Sequence, residues 1–287
     1  MRRIPKSIPG FAPSYALLSE SEHVDTAVIF VHGFGGSATG TWRNFQGLVE
    51  EYSSEYPWWN AWDLFFYSYE SLKTPIGVNA HRLRSFLKDV LSSSNLREIK
   101  PIDGAQPTFT WGSSDYQILF CVGHSEGAVV IRRMILDRLN EAREGVEGIH
   151  DGPITNLGSG RAGDLLMNAS MRFFAPACLG TNFSSWFGFG MSFSTLISAL
   201  AASSLVRNEL LPESPILKQI QSETETAHKG FPSMRALTAK VLFGDRDQVV
   251  YTGAYNCDGV FYERGQDHFS ICKPKYIYRR PLEFVSP

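Results

Sequence analysis

Gly123-His124-Ser125-Glu126-Gly127 closes the apolar run 116–122 and opens a helically spaced run, 128–136. A serine between two glycines at the end of a buried strand has the form of a nucleophile elbow. The strand-to-helix turn is so tight that the serine takes a strained backbone conformation. Side chains two positions away on either side would collide there, which favours glycine at both places. A serine hydroxyl is a weak nucleophile near neutral pH. It needs a base, a group that orients the base, and N–H donors for the developing oxyanion.

Candidates for all three lie at other strand ends. Upstream, the buried-strand pattern 26–31 runs into His32-Gly33-Phe34-Gly35-Gly36, a turn whose backbone can approach a substrate. The backbone N–H groups of Phe34 and Glu126 are the expected oxyanion donors. Glu126 would act through its amide, at a helix start where the dipole favours an anion. Downstream, the strand pattern 237–243 ends in Gly244-Asp245-Arg246-Asp247-Gln248-Val249-Val250. Asp247 is the preferred acid, because the two valines after it can pack down and fix the loop; Asp245 is the alternative. A last strand, 258–263, leads to Arg264-Gly265-Gln266-Asp267-His268, and His268 is the expected base. The chain order Ser125, Asp247, His268 is that of an α/β-hydrolase.

Over about 28–273 the chain resembles the α/β-hydrolase superfamily. The pieces carrying the likeness are Phe30-Val31-His32-Gly33-Phe34-Gly35-Gly36-Ser37 with Thr41-Trp42, the Gly123–Gly127 elbow, and His268-Phe269-Ser270-Ile271-Cys272-Lys273-Pro274. They are similar to the serine-esterase and lipase branch, which includes GPI-inositol deacylase-like lipid-acyl hydrolases. The resemblance implies ester hydrolysis with no cofactor. Glu126 departs from the commonest pattern, in which Met, Leu or Gln follows the serine; this bears on substrate class rather than on mechanism.

Taken singly, Ser125 reads as a turn residue and His268 as a loop histidine; it is their joint appearance at strand ends, in order, that points to catalysis. His32 is expected to shape the oxyanion turn through its ring. His124 should lie next to the chemistry without taking part, and His23, His81, His150 and His228 have no supporting context. Cys121, Cys178, Cys257 and Cys272 form no Cys-x-x-Cys pair and no ligand-spaced cluster with histidine, so no metal site is expected. Cys121 and Cys178 fall in or beside core strands, and a Cys257–Cys272 disulfide is not expected without a secretory signal. The start, Met1-Arg2-Arg3-Ile4-Pro5-Lys6, is basic but leads into Pro-rich sequence with no apolar stretch. A cytoplasmic, reducing location is the expectation.

The 287 residues carry a net charge of −2 with no basic run, which argues against a nucleic-acid partner. They are compatible with one domain over 1–287. Helix 77–91 and strand 63–69 are expected, with surface excursions at 92–114 and 145–163. Trp58, Trp59 and Trp62 read as core and strand entry. The run 179–206 has no charged residue and is long enough to be weighed as a membrane span. A crossing there would place Ser125 and the Asp247–His268 pair on opposite sides of the bilayer, which excludes it. Its expected role is a short apolar lid or cap, at about 179–212, lining an acyl pocket with Trp186, Phe187, Phe189 and Met191, and also Phe193, Leu196, Ile197 and Leu200. Such a lid also offers a surface for peripheral membrane contact; the plainer alternative is one packed core helix. The reading is thus a doubly wound, mostly parallel α/β sheet flanked by helices, with a short apolar lid. The triad does not select the leaving group. Amidase, thioesterase and acyltransferase chemistry are therefore alternatives to hydrolysis of a small-molecule or lipid acyl ester, as is a catalytically inactive binding protein.

Overall fold

Runs such as Thr26-Ala27-Val28-Ile29-Phe30-Val31 are apolar at every position, a pattern that suits a parallel strand covered on both faces. In the computed structural model they form the centre of an eight-stranded sheet in the order β1-β2-β4-β3-β5-β6-β7-β8. The strands are β1 (Lys6–Ser7), β2 (Tyr15–Leu17), β3 (Thr26–Val31), β4 (Trp62–Tyr67), β5 (Ile118–His124), β6 (Ser170–Phe174), β7 (Ala239–Gly244) and β8 (Gly259–Glu263). From β4 to β8 every neighbouring pair is parallel; β1 and β2 add antiparallel at the β4 edge. The structure describes residues 6–8, 10–19, 21, 24–91, 116–147, 165–183 and 204–287.

Helices cover both faces. On one side lie α3 (Ile76–Leu91), α4 (Glu126–Glu147) and α6 (Pro215–Gly230), with α4 in contact with the other two and with β5. On the other, Trp42, which ends the short α1 (Ala38–Thr41), and Phe45, which opens α2 (Phe45–Glu51), pack on Phe30. Phe284 of α7 (Arg280–Phe284) packs there on Phe174 and Phe261. Each buried aromatic ring contributes about 1.5–3 kcal/mol. A further short helix, α5 (Ser204–Glu209), precedes α6, whose Ser214 caps the first turn by accepting from the Leu217 amide. Arg132 of α4 is fully buried and pairs both terminal oxygens of Asp258, which also accepts from the Ala239 amide. This ties the helix behind the elbow to the starts of β7 and β8.

Several boundaries differ from the sequence reading. β4 stops at Tyr67 because the next amides leave the sheet: Ser68 N–H donates to Ser14 Oγ and Tyr69 N–H to His32 Nε2. β7 starts at Ala239, after a 3₁₀ turn at Arg235–Leu237. β1 and β2 are too short to leave a hydrophobic period. Trp59 is fully buried and Trp62 opens β4, as core and strand entry require. All four cysteines are free. Among the described residues no helix is long and apolar enough to cross a membrane, and no group of His, Cys, Asp or Glu converges as metal ligands. The excursions 92–114 and most of 145–163 lie outside the described residues.

Candidate active site

β5 hands directly into α4, and Ser125 stands between them with φ of +53°, in the left-handed region that costs a side chain free energy. Its backbone is fixed from the neighbouring strand: Ser125 N–H donates to Phe174 O at 3.1 Å, and Ala177 N–H donates to Ser125 O at 3.2 Å. The flanking glycines are required, though only partly by crowding within the turn itself. A Cβ on Gly123 would stand 2.6 Å from the Ala128 Cα, while one on Gly127 would run into the carbonyl oxygens of Val31, which ends β3, and of His32 just after it. The second glycine therefore permits the helix to approach an adjacent strand. Gly33 is equally constrained, since its Cβ would lie 2.6 Å from the Ser125 Cβ.

The loops after β7 and β8 meet above the sheet. His268 Nδ1 lies 2.9 Å from Asp247 Oδ2, with both side chains withdrawn from solvent. A carboxylate oxygen only accepts, so Nδ1 is the donor of this hydrogen bond. Asp247 Oδ1 accepts from the Val249 and Val250 amides, at 2.9 and 3.2 Å. The valines thus fix the loop through their N–H groups as well as by packing. Asp245 faces elsewhere and accepts from Gly265 N–H at 2.7 Å. Asp267 Oδ1 accepts from the Phe269 and Ser270 amides, which holds the turn carrying His268.

Opposite lies the glycine-rich turn after β3. His32 donates from Nδ1 to Gly33 O at 2.9 Å, accepts Tyr69 N–H at Nε2, and stacks on the Tyr69 ring at 4.4 Å. Burial pushes its pKa down to about 4, so the ring is neutral and structural. Gly35 takes φ of +65° and donates to Ser71 Oγ, which fixes the glycine-rich turn. Glu126 is the first residue of α4, so its amide has no partner one turn earlier in the helix.

Two features escape sequence reasoning. His124 does take part in the site's construction: its Nε2–H donates to His268 O at 2.9 Å, and the two rings lie 4.8 Å apart. It thereby holds His268 against the elbow, while burial, above all, keeps its own pKa well below the usual range. Only its place in the elbow motif hinted at this. The Glu126 side chain is also fully buried, and among the described residues neither carboxyl oxygen has a hydrogen-bond partner. Burial, and then Glu209 nearby, raises its pKa well above the carboxylate range. Trp186, Phe187, Phe189, Met191, Phe193, Leu196, Ile197 and Leu200 lie outside the described residues. At the boundary of that segment, Thr181 N–H donates to Leu210 O, and Phe183 meets Phe34 edge to face at 5.7 Å.

No protein-family model and no curated protein sequence matches this chain. Solved structures do. The mature form of Bacillus licheniformis lipase BlEst2 is 12% identical, with a TM-score of 0.53 over 96% of this chain and 98% of that one. Its propeptide form is 14% identical, with a TM-score of 0.51 over 96% of this chain and 54% of that one. Phospholipase PlaB from Legionella pneumophila is 19% identical, with a TM-score of 0.45, and the match spans 77% of this chain but 39% of that one. At such identities the two lipase structures carry the likeness as far as architecture. Together with the strand order and the elbow after β5, they show that this chain has the α/β-hydrolase fold.

Proposed function

We propose that the protein is a serine hydrolase that cleaves a carboxylic ester through an acyl-enzyme. The observation that carries this reading is the Asp247–His268 pair at 2.9 Å, held by His124 against an elbow whose serine has φ of +53°. Ser125 Oγ attacks the ester carbonyl and its proton passes to His268 Nε2. The tetrahedral oxyanion receives the N–H groups of Phe34 and Glu126. Collapse of that intermediate breaks the bond to the alcohol, which leaves with the proton from His268. Water then gives a proton to His268 and attacks the acyl carbon; the acid departs and Ser125 regains its hydrogen. Asp247 keeps the imidazole in the required tautomer and stabilises its charged form.

The resemblance of the motifs to lipid-acyl hydrolases makes an acyl lipid or other hydrophobic ester the favoured substrate class. The uncharged run supports the acyl side of this reading on sequence grounds, with Trp186, Phe187, Phe189 and Met191 as its contacts and a membrane surface as one source of substrate. A fluorophosphonate probe should label Ser125 alone, and Ser125→Ala should remove labelling together with roughly a million-fold of turnover. An unlabelled wild-type chain would overturn the reading in favour of a binding protein. Turnover of matched amides or thioesters faster than esters would keep the serine but replace the substrate class.

A further inference from the structure

Ligands of open parallel sheets usually sit beyond the carboxyl ends of the strands, where Ser125, Asp247 and His268 lie. This molecule also has a concavity at the opposite edge. A cavity of about 780 Å³ opens where β3 to β8 begin, lined among others by Trp62, Phe120, Phe261, Arg172, Arg235 and Lys240. That is the size of a small-molecule site. Apolar surface is left uncovered there, since Ile118 and Phe261, both lining residues, are 42% and 41% exposed, although faces of parallel sheets are normally sealed by helices.

The charges are unbalanced. Arg172 is buried, 6% exposed, and stands over the Phe120 ring at 5.2 Å. It donates to three carbonyl oxygens, of Phe284, Met171 and Ser286, which satisfies three of the five N–H groups a guanidinium carries. Lys240 is its direct partner across β6 and β7. Among the described residues Arg172, Lys240 and Arg235 have no carboxylate partner, whereas the nearby Arg280 has Glu263 and Glu283. Two carboxylates line the cavity: the Asp25 side chain, which already accepts from Thr26 Oγ1, and the carboxyl group of Pro287, which makes no ion pair with the three cations among the described residues. The repulsion is felt: Arg172 is lowered to about 10 by burial and then by Arg235, and Lys240 is lowered first by Arg172. A buried cation that meets only carbonyls, with two more cations beside it, is complementary to an anion.

We propose that this cavity is a second ligand site for a small amphipathic anion, with a carboxylate or phosphate head on Arg172 and Lys240 and an apolar body against Trp62, Phe120 and Phe261. Nothing in it depends on Ser125. A carboxylate head would make the ligand a free acid of the kind an esterase releases; a phosphate head would make it a phosphate monoester.

Calorimetric titration of the full chain with octanoate, octyl phosphate, octanol and inorganic phosphate tests this. To keep the catalytic edge out of the measurement, it is repeated on protein blocked with a fluorophosphonate, or on Ser125→Ala if no labelling occurs. One of the two amphipathic anions should bind in both forms, and the tighter one names the head. Octanol and inorganic phosphate should each bind at least about tenfold more weakly, about 1.4 kcal/mol. Lys240→Glu, at an exposed strand position, should cost the anion at least about tenfold while leaving ester turnover unchanged. Should that variant not fold, Arg235→Glu on the 3₁₀ turn replaces it with the same expectation. The site is refuted if neither anion binds, if octanol binds as tightly as the anions, or if affinity survives the charge reversal.

Discussion

The two halves of the candidate active site are built by opposite means. The half contributed by β7 and β8 is held by polar bonds: Asp247 accepts from two amides and faces His268, and Asp267 accepts from two more. The half contributed by β3 and β5 also has polar bonds but depends on what is missing, since a Cβ on Gly33, Gly123 or Gly127 would come within 2.6, 2.6 or 2.3 Å of its surroundings, far inside van der Waals contact. Polar changes in the first half should therefore alter chemistry and leave the fold. Single carbons added to the second should break the fold itself.

The sharpest test on the polar side is Asp247→Asn. It keeps the shape but reverses what His268 Nδ1 must do, and in a serine protease the equivalent change cost about ten-thousand-fold. Turnover should fall by that order while the melting temperature stays within a few degrees, whereas Asp245→Asn should leave turnover nearly intact. A reversed ranking would move the acid to Asp245. On the steric side, Gly127→Ala should destabilise the protein by about 3 kcal/mol or more in urea unfolding, because the Val31 and His32 carbonyls cannot withdraw. Gly47, exposed within α2 and with nothing near its missing Cβ, is the control. Gly47→Ala should stabilise by about 0.5–1 kcal/mol. Similar costs at the two positions would mean that close approach at the elbow is not what Gly127 provides.

His32 separates the halves by pH. Its native pKa, about 4, lies below the unfolded value near 6.5, so the unfolded chain binds the proton first. Its contribution is present above pH 6.5 and is lost as pH falls through about 4, for a total of about 3 kcal/mol. His32→Gln should flatten that part of the wild-type acid limb; parallel curves for the two proteins would show that His32 is not buried neutral. The smallest effect is expected at His124. His124→Ala frees the backbone of His268 and should lower kcat about tenfold, with KM little changed. His124→Gln, which keeps an N–H donor, should recover part of it, and a merely structural role would show no such rescue.

The polar half was the more legible in sequence, but not completely. Asp247, with two valines after it, could be preferred over Asp245 because loop-fixing residues are local in the chain. The steric half was legible as a motif, Gly-x-Ser-x-Gly, whereas the collision that makes Gly127 necessary lies with Val31 and His32, residues distant in sequence. The bond from His124 to His268 spans 144 positions and has no local signature. The central strands declared themselves by unbroken apolar runs, while β1 and β2, of two and three residues, are specified by pairing with β4 and with each other.

The thiols turn these contrasts into something that can be timed. Burial pushes Cys121, Cys178 and Cys272 up to about 12, and Cys257, half-buried, to about 11. A thiol that is neither ionised nor accessible does not react with an alkylating reagent until the chain around it opens. Cys121 lies on β5 beneath the elbow, and Cys272 follows His268, its Sγ directed at Thr41 O. Each half of the site thus carries its own built-in clock, and the order in which the two cysteines acquire label records which half opens first.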